Sequence, residues 1–315
     1  MNSYASTDMK PDVSILIVCY KSLDYIDDCL SSLFRFVVGC RFEVLLLDCS
    51  EDGTIEFVRE SYPSVRIVDN HENIGFSKGN NRLAEQARGK YLLLLNADTY
   101  LTDDAVSELY RCAERYKPSE LGAIGGRARL PDGRRDPGSR QSFPTLTKLA
   151  ISTVGGAKWL NGALPENATQ PGAVESLSGA FMMVPASVWE AMGGLDESFF
   201  AYCEEMDFCH RLQIAGLPVI MTPTAEIVHL GGGGSHRSER SVMKAQALMH
   251  LLRKHWSSSQ VIAAGLLIWS HGLARAVAGY IGKPISRQKS AELVSAFGPL
   301  VRSPRRWWHG FGGRQ

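Results

Sequence analysis

The sequence predicts an α/β fold in which a mostly parallel sheet carries helices on both faces. Over the first third of the chain, short apolar runs rich in Val, Ile and Leu alternate with segments of helical periodicity. The apolar runs are continuous, which is typical of strands buried on both faces of a sheet. After about residue 236 the pattern is helical throughout, so the sequence also predicts a helical C-terminal extension.

The predicted elements follow each other in regular order. Four strands are predicted from the runs VSILIVCY, FEVLLLDC, VRIVDN and YLLLLNAD, at positions 13–20, 42–49, 65–70 and 91–98. Three helices are predicted between them, from YIDDCLSSLFRFV, GTIEFVRESY and FSKGNNRLAEQARG. A further helix is predicted in YCEEMDFCHRLQIAG, where Gly216 and Pro218 mark its end.

Composition limits the function classes. The 34 basic and 33 acidic side chains give a net charge of +1 over 315 residues, which does not favour nucleic acid binding. The seven cysteines include no C-x-x-C pair, so we expect reduced thiols in a cytoplasmic protein. The N-terminal segment lacks the charged and apolar order of a signal peptide, which agrees with a cytoplasmic location.

Polar residues follow the ends of four predicted strands. In open sheets of this kind, ligands bind beyond the carboxyl ends of the strands. Each polar residue could instead start a turn or cap a helix, but four together favour a shared site. No glycine-rich phosphate loop is present, so a bound diphosphate needs a cation, and an acid after YLLLLNAD suits a hard divalent metal. The strand-end residues are Tyr20, Asp48, Asp69 with Asn70, and Asn96 with Asp98.

Several motifs, taken in order, resemble those of family 2 glycosyltransferases with the GT-A fold, closest to the rhamnosyltransferase-like branch. The resemblance covers roughly residues 12 to 236. The motifs are VSILIVCYKS, DCSEDGT, ENIGFSKGNN, GKYLLLLNAD, SGAFMMVP, GGLDESFFAYCEEMDFCHRLQIAG and HLGGGGS.

The resemblance implies roles for individual residues. Asp48 would hydrogen-bond the nucleobase, and Asn96-Ala97-Asp98 occupies the family's D-x-D position, with Asp98 on the metal. His229 would approach the metal or the diphosphate from the far side; the alternative is a histidine that only satisfies a strand end. Tyr20 and Asn70 at the strand ends, together with Gly75, Asn80 and Asn81, complete the predicted donor pocket.

The sequence departs from the family pattern at two places. DCSEDGT is one residue shorter than the usual loop, which puts Asp52 in doubt as a ligand contact. The family's Glu-Asp pair, whose Asp is the catalytic base, stands here as Glu204-Glu205. The first helical turn also contains Asp207, and the helix dipole favours ionised acids there. Glu205 is the first candidate for the base, followed by Asp207 and Glu204, while first-turn acids that only stabilise the helix are the alternative.

The resemblance implies a metal-dependent inverting glycosyltransferase. The expected donor is a UDP- or dTDP-linked sugar, with dTDP-rhamnose as the best guess, and the expected cation is Mg²⁺ or Mn²⁺. The expected acceptor is a saccharide, lipid-linked, in polysaccharide or cell-wall synthesis. A non-catalytic nucleotide-sugar-binding or scaffold subunit is the alternative. A nucleotidylyltransferase is disfavoured because CYKSLDY is neither glycine-rich nor basic.

The predicted domain of residues 1–236 divides into a nucleotide-sugar-binding half, 1–120, and an acceptor or catalytic half, 121–236. Arg134, Arg135 and Arg140 lie in an exposed Arg-, Gly- and Pro-rich connection; they are either solvated or contact an anionic acceptor. Residues 231–234 are all glycine and form either a loop that closes over the donor or a plain linker.

The extension, residues 237–315, contains the apolar run VIAAGLLIWSHGLARAVAGYIG. His271 and Arg275 interrupt this run one helical turn apart, so a spanning helix is disfavoured and a shared polar face is predicted. We expect an amphipathic helix on the cytoplasmic face of the inner membrane, with membrane contact through residues 256–310. A core helix of a C-terminal bundle is the alternative. The other residues expected to help are Arg302, Arg305, Arg306, Trp307 and Trp308.

Overall fold

A computed structural model describes residues 10–136, 142–153, 164–231, 237–281 and 286–313. Within these ranges the chain forms one mixed sheet with helices on both faces, followed by a helical region. The strands are β1 (Val13–Cys19), β2 (Phe42–Asp48), β3 (Arg66–Ile67), β4 (Tyr91–Leu95), β5 (Thr99–Leu101), β6 (Ala123–Arg129), β7 (Gly172–Ala173), β8 (Phe181–Pro185) and β9 (Val219–His229).

The strand order is β3-β2-β1-β4-β8-β6-β9-β5, with β7 paired to β9. From β3 to β4 all pairs are parallel, as the alternation of strands and helices predicts. The second half is mixed, because β8 pairs antiparallel with both β4 and β6, whereas β6 and β9 are parallel. The α/β class is therefore confirmed. The continuous run of parallel strands is β3-β2-β1-β4, which comes from the N-terminal part of the chain.

The leucine run of β4 is explained by burial on both faces of the sheet. Leu93 and Leu95 belong to one hydrophobic cluster, and Leu92 and Leu94 belong to another. Successive side chains of a strand point to opposite faces, so a central strand covered on both sides needs an apolar residue at every position.

Helices cover both faces of the sheet. The first cluster includes side chains of α1 (Ile26–Phe36) and α4 (Ala105–Ala113). The second cluster includes side chains of α3 (Gly75–Gln86), α6 (Ala186–Ala191) and α7 (Glu204–Ile214). The remaining helices of this part are α2 (Thr54–Ser61) and α5 (Leu146–Thr153).

The C-terminal extension is a helical bundle with its own core. Its helices are α8 (Arg237–His255), α9 (Ser258–Ile281), α10 (Arg287–Arg302) and α11 (Arg305–Trp308). The core joins residues of all four helices, among them Met249, Ile268, Leu300 and Trp307. Helix α5, which lies between β6 and β7 in the sequence, packs on this bundle through Leu146 and Leu149. It therefore contacts the extension.

Helix α9 differs from its sequence-based prediction. It is 24 residues long, and among the described helices it alone is long and apolar enough to cross a bilayer by length and composition. The predicted polar side chains His271 and Arg275 are both half-buried rather than exposed, and the ring of His271 contacts Ser152 of α5, with Nδ1 3.1 Å from the carbonyl oxygen. The outward face is instead apolar and includes Ile262, Leu266 and Val277.

Candidate active site

The carboxyl ends of β1, β2 and β4 lie side by side at one edge of the sheet. Cys19 pairs with Asp48 across β1 and β2, and Leu16 pairs with Leu94 across β1 and β4. The predicted strand-end residues Tyr20, Asp48 and Asn96 therefore follow neighbouring strands. Tyr20 is 41% exposed at this edge.

A cavity of about 620 Å³ opens at the end of β2, between residues 48–59 and 67–73. Asp48 lies in its wall and accepts hydrogen bonds from the Ser50 amide at 3.1 Å and the Ser50 hydroxyl at 2.8 Å. Burial raises the pKa of Asp48 to about 6, which outweighs the Ser50 hydrogen bonds. Asn70 lies in the same cavity and donates to the Asp48 carbonyl at 2.8 Å.

Asp52 holds the loops beside this cavity. It accepts from the Leu23 amide at 3.1 Å and from the Thr54 hydroxyl at 2.7 Å. Asp52 thus joins the segment after β1 to the start of α2, and its oxygens are engaged with the protein. The doubt that the short loop raised about Asp52 as a ligand contact agrees with this arrangement.

The α3 residues predicted for the donor pocket contact the protein itself. Gly75 has φ +81°, and a Cβ there would lie 2.4 Å from the Phe200 carbonyl oxygen, so only glycine allows this approach. Asn80 is fully buried and donates to the Phe76 carbonyl at 2.9 Å. Asn81 donates to the Leu195 carbonyl at 2.9 Å and accepts from the Leu195 amide at 3.0 Å. None of the three is among the described residues that line the Asp48 cavity.

Asp98 and His229 meet where β4 and β9 end. Thr99 pairs with His229 across β5 and β9, which brings His229 Nε2 within 3.3 Å of Asp98 Oδ1. The other ring nitrogen, Nδ1, lies 2.7 Å from Asp136 Oδ2. Although burial lowers the pKa of His229, its hydrogen bonds with Asp136 and Asp98 raise that pKa to about 9. The structure thus brings together the two predicted metal residues.

Glu204 and Glu205 start α7 after a strained turn. Tyr202 and Cys203 both have positive φ, 70° and 66°, a conformation that costs non-glycine residues about 1–2 kcal/mol each. Both glutamates are buried, at 4% and 7% exposure. Burial and the nearby charge of Glu205 raise the pKa of Glu204 well above its ordinary value. This shift favours the protonated form of Glu204 and leaves Glu205 as the first candidate for the base.

Tyr202 connects these acids to the Asp98 region. Burial raises the pKa of its hydroxyl, and among the charged groups close enough to affect it are Asp98, Glu204, Glu205 and Arg240. The backbone gives a second connection, because the Asn96 amide donates to the Ala180 carbonyl at 3.3 Å and the neighbouring Gly179 packs against Glu205. The acids of α7 therefore lie near the residues after β4, and the region around Asp98, Tyr202 and Glu205 is the candidate cleft.

Asp207, the second candidate for the base, is occupied by three basic side chains. It is fully buried, and its oxygens lie 2.8 Å from Arg211 Nε, Lys254 Nζ and His255 Nε2. Burial raises its pKa, but the hydrogen bonds from these three residues outweigh this and lower it below the ordinary value. This geometry argues against Asp207 as a base, because no oxygen faces the cleft. Its contacts instead join α7 to α8.

The loop residues predicted to contact an anionic acceptor have protein partners or fall outside the described ranges. Arg134 is exposed and pairs with Asp132. Arg135 donates to the Leu164 carbonyl at 2.8 Å and is 8% exposed. Arg140 and the glycines 232–234 lie outside the described residues, whereas the Gly231 carbonyl accepts from Arg240 at 3.2 Å.

The donor set suits a divalent cation that is shared with a substrate. Within the described ranges, no group of three or more His, Cys, Asp and Glu side chains is arranged to hold a metal ion. Asp98 and His229 supply one carboxylate and one imidazole at adjacent positions. Mg²⁺ and Mn²⁺ accept such ligands and take their remaining ones from substrate phosphates and water. The residues present therefore fit a metal that binds together with a diphosphate.

Sequence reasoning missed Asp136 and Arg240. Asp136 lies 93 positions before His229, and a single acid in an Arg-rich loop gives no periodic signal. Arg240 belongs to α8 in the extension, which the sequence pattern separates from the cleft. In the sequence, Asp136 is distinguished only as the acid that follows Arg134 and Arg135 and precedes Pro137.

The family comparison matches the N-terminal half of the fold. Residues 14–166 match the model described as glycosyl transferase family 2. N-acetylglucosaminyl-diphospho-decaprenol L-rhamnosyltransferase of Mycobacterium tuberculosis is 29% identical over 257 residues, which span 76% of this chain and 81% of that protein. A low-salt glycan biosynthesis hexosyltransferase of Haloferax volcanii is 26% identical over 226 residues, which span 70% of this chain and 68% of that protein.

The solved structures support the same fold. A mannosyltransferase from Pyrobaculum calidifontis, in complex with GDP-Man and Mn²⁺, superposes with a TM-score of 0.57. It is 17% identical, and the match covers 96% of this chain and 84% of that one. At this identity the likeness is evidence for the GT-A fold alone.

Proposed function

Because the chain carries a family 2 glycosyltransferase domain on a GT-A fold, we propose that it is a metal-dependent inverting enzyme that transfers L-rhamnose from dTDP-rhamnose to a lipid-linked saccharide. The contact of Asp98 with His229, in one cleft with Glu205, is the observation that carries this proposal. The choice of rhamnose rests on the activity in the name of the Mycobacterium tuberculosis relative.

The donor base binds in the cavity at the end of β2. Asp48 accepts the N3–H of uracil or thymine there, and Asn70 borders the same cavity. A volume of about 620 Å³ suits a nucleoside-sized ligand. Both bases carry the same N3 donor, so Asp48 does not distinguish UDP from dTDP. The dTDP assignment therefore follows from the choice of sugar.

Asp98 and His229 would hold the divalent cation, with the His229 ring nitrogen that faces Asp98 deprotonated. When bound, Mg²⁺ or Mn²⁺ neutralises charge on the diphosphate leaving group. Asp136 hydrogen-bonds the far nitrogen of the His229 ring and fixes the orientation of that ring. Asn96 takes the first acidic position of the family's D-x-D, so its uncharged side chain leaves Asp98 as the single carboxylate of that motif.

Glu205 acts as the general base. It takes the proton of an acceptor hydroxyl, whose oxygen forms a bond to the anomeric carbon while the bond from that carbon to the diphosphate oxygen breaks. This single displacement inverts the anomeric centre. Burial and the charge of Glu205 raise the pKa of Glu204, which favours Glu204 as the protonated member of the pair and Glu205 as the base. Glu205 also takes the position of the family's catalytic Asp.

The acceptor is lipid-linked, and the enzyme works at the cytoplasmic face of the membrane. The relative from Mycobacterium tuberculosis is named for a decaprenol-linked acceptor. Helix α9 carries an outward apolar face, which suits contact with a lipid surface. The division into a transferase domain, 1–236, and an extension, 237–315, is part of this proposal: the extension supplies the membrane contact.

A non-catalytic subunit that binds nucleotide sugar is the second candidate. The observations that favour it are Asn96 in place of an acid and a longer Glu205 in place of Asp. Both candidates require donor binding, and only the enzyme releases nucleoside diphosphate.

A panel of UDP- and dTDP-sugars with Mg²⁺ or Mn²⁺ tests the proposal, with thermal shift and release of nucleoside diphosphate as readouts. We expect dTDP-rhamnose to stabilise the wild type in the presence of metal, and Asp98→Ala to lose that metal-dependent stabilisation. Stabilisation without release, even with acceptor lipids added, would favour the binding subunit. A folded protein with no response to any donor would refute both candidates.

A further inference from the structure

A large groove lies in the C-terminal bundle, apart from the cleft already described. It has a volume of about 1320 Å³ and is formed by residues of α8, α9, α10 and α11. Three arginines line it: Arg287 and Arg302 at the two ends of α10, and Arg306 on α11. Since a helix rises about 1.5 Å per residue, the two α10 arginines are roughly 22 Å apart along the groove.

The three arginines have no carboxylate partners among the described residues. Within the part of the chain that the structure describes, none of them forms an ion pair, and no acidic side chain lines the groove. Arginines elsewhere are different: Arg41 and Arg66 each lie 2.7 Å from a carboxylate. Three unpaired guanidinium groups around one concave surface produce a positive potential there and favour an anion.

Helix α10 has a glycine at position 298, and the missing side chain leaves room for the guanidinium of Arg302. The guanidinium of Arg302 folds back over Gly298, where a Cβ would lie only 2.6 Å from Arg302 Nη2. The groove wall also includes apolar atoms of Val294 and Pro299 and the hydroxyls of Ser295 and Ser303. The groove therefore offers both cationic and apolar contacts, which suits a ligand that is charged at one end and hydrocarbon at the other.

Two features connect the groove to its surroundings. Tyr280 lines the groove and also ends the exposed apolar face of α9, which includes Ile262, Leu266, Leu273 and Val277. At the other side, Ser238 lines the groove two residues before Arg240, which hydrogen-bonds Gly231 near the end of β9. The groove thus borders the apolar face of α9 and includes the first turn of α8, the helix that carries Arg240.

We propose that this groove binds the diphosphate of a prenyl-linked acceptor, with the prenyl chain along the apolar face of α9 and the saccharide directed to the cleft. The inference rests on the proposed function and adds a site for the part of the acceptor that does not react. Arg302 and Arg306 bind the phosphate oxygens, and Arg287 extends the positive surface. A diphosphate fits this set because adjacent guanidinium groups can each bind one phosphate.

The test measures binding of farnesyl diphosphate to the full chain by tryptophan fluorescence or calorimetry, with farnesol and inorganic pyrophosphate as comparison ligands. We expect farnesyl diphosphate to bind more tightly than either. The double variant R302Q/R306Q should lose at least about tenfold in affinity, because two charge-assisted contacts are removed. The matched control is R305Q, which removes an exposed arginine of α11 outside the groove lining and should stay within about twofold of wild type.

Equal affinity of R302Q/R306Q and wild type, or equal loss in R305Q, would overturn the proposal. So would loss of binding to phosphatidylglycerol vesicles in the double variant without any binding of farnesyl diphosphate, because that result would assign the groove to phospholipid headgroups. Metal-dependent donor binding is measured in the same samples. If the donor binds and farnesyl diphosphate does not, this inference fails while the proposed transferase stands. If the donor fails to bind, the transferase proposal itself is refuted.

Discussion

At the residue scale, Asp48 links protonation to donor binding. Its pKa is raised to about 6 by burial, so it is mostly ionised at pH 7 and mostly protonated at pH 5. Only the ionised form is free to accept the N3–H of a bound base with full strength. We expect nucleoside diphosphate affinity to fall about tenfold from pH 7 to pH 5, because the ionised fraction changes by that factor. Calorimetric titration with dTDP across this range measures the effect.

The matched variant for this prediction is Asp48→Asn. The side-chain amide of this variant still accepts a hydrogen bond through its oxygen, but it does not titrate. Nucleoside diphosphate binding should therefore be weaker than that of the wild type at pH 7, and position 48 should no longer make it depend on pH. The titrations are done without metal, so that metal binding at Asp98 and His229 does not contribute to the measured affinity. An unchanged pH dependence in Asp48→Asn would assign the titration to another group.

Individual site residues were predictable where the chain itself places them. Asp48, Asn96 and Asp98 directly follow buried strands, and the carboxyl ends of parallel strands meet at one edge. Asp136 and Arg240 were not predictable, because the interactions of Asp136 with His229 and of Arg240 with Tyr202 join parts of the chain that are far apart in sequence. Asp207 carried the same local signal as Glu205, and only its contacts with Arg211, Lys254 and His255 distinguish the two.

At the scale of elements, Asp207 holds α7 against α8. It contacts Arg211 within its own helix and Lys254 and His255 of α8, and it is fully buried. Removing one member of a buried charge cluster leaves the others unpaired, at a typical cost of about 3–5 kcal/mol. Lys254 also contacts Asp196, so we expect Asp207→Asn to lower the free energy of unfolding by about 3 kcal/mol.

Urea unfolding of Asp207→Asn and of a matched surface variant measures this cost. The control is Glu120→Gln, which removes an exposed ion pair with Lys117 and should cost less than about 1 kcal/mol. If Asp207→Asn unfolds at the same urea concentration as the wild type, the contact between α7 and α8 is not held by this cluster.

The elements themselves were largely predictable, and their pairing was not. Continuous apolar runs identified β1, β2 and β4, and Gly216 marked the end of α7. The insertion of β8 between β4 and β6 depends on antiparallel pairing of distant segments, which periodicity does not encode. The contact of His271 with α5 was also not predictable, because in the sequence His271 only interrupts an apolar run and gives no sign of its partner.

At the scale of the whole molecule, the bundle gives the transferase fold an apolar surface. The exposed fractions of Ile262 and Leu266 on α9 are 54% and 56%. We expect the double variant Ile262→Ser/Leu266→Ser to bind phosphatidylglycerol vesicles about 30-fold more weakly than wild type. Burying these two partly exposed side chains in lipid contributes roughly 2 kcal/mol in total. Cosedimentation with the vesicles measures the change.

The control for membrane binding is Ile214→Ser. Ile214 is 73% exposed at the end of α7, outside the bundle, so the substitution removes an exposed apolar side chain without touching α9. Its vesicle binding should match that of the wild type. Equal binding by all three proteins would exclude the α9 face as the membrane contact.

The central claim is that Glu205 removes the acceptor proton in a metal-dependent displacement. Single-turnover transfer to an N-acetylglucosaminyl diphosphoprenol, with the donor that gives the largest metal-dependent thermal shift, tests it most directly on Glu205→Gln and Glu204→Gln. We predict that Glu205→Gln lowers the transfer rate by about 10²–10⁴-fold with unchanged donor affinity, because a general base typically contributes that factor. Glu204→Gln, which replaces the carboxyl whose pKa burial raises, should stay within about tenfold of wild type. Transfer by Glu205→Gln at the wild-type rate would contradict the account.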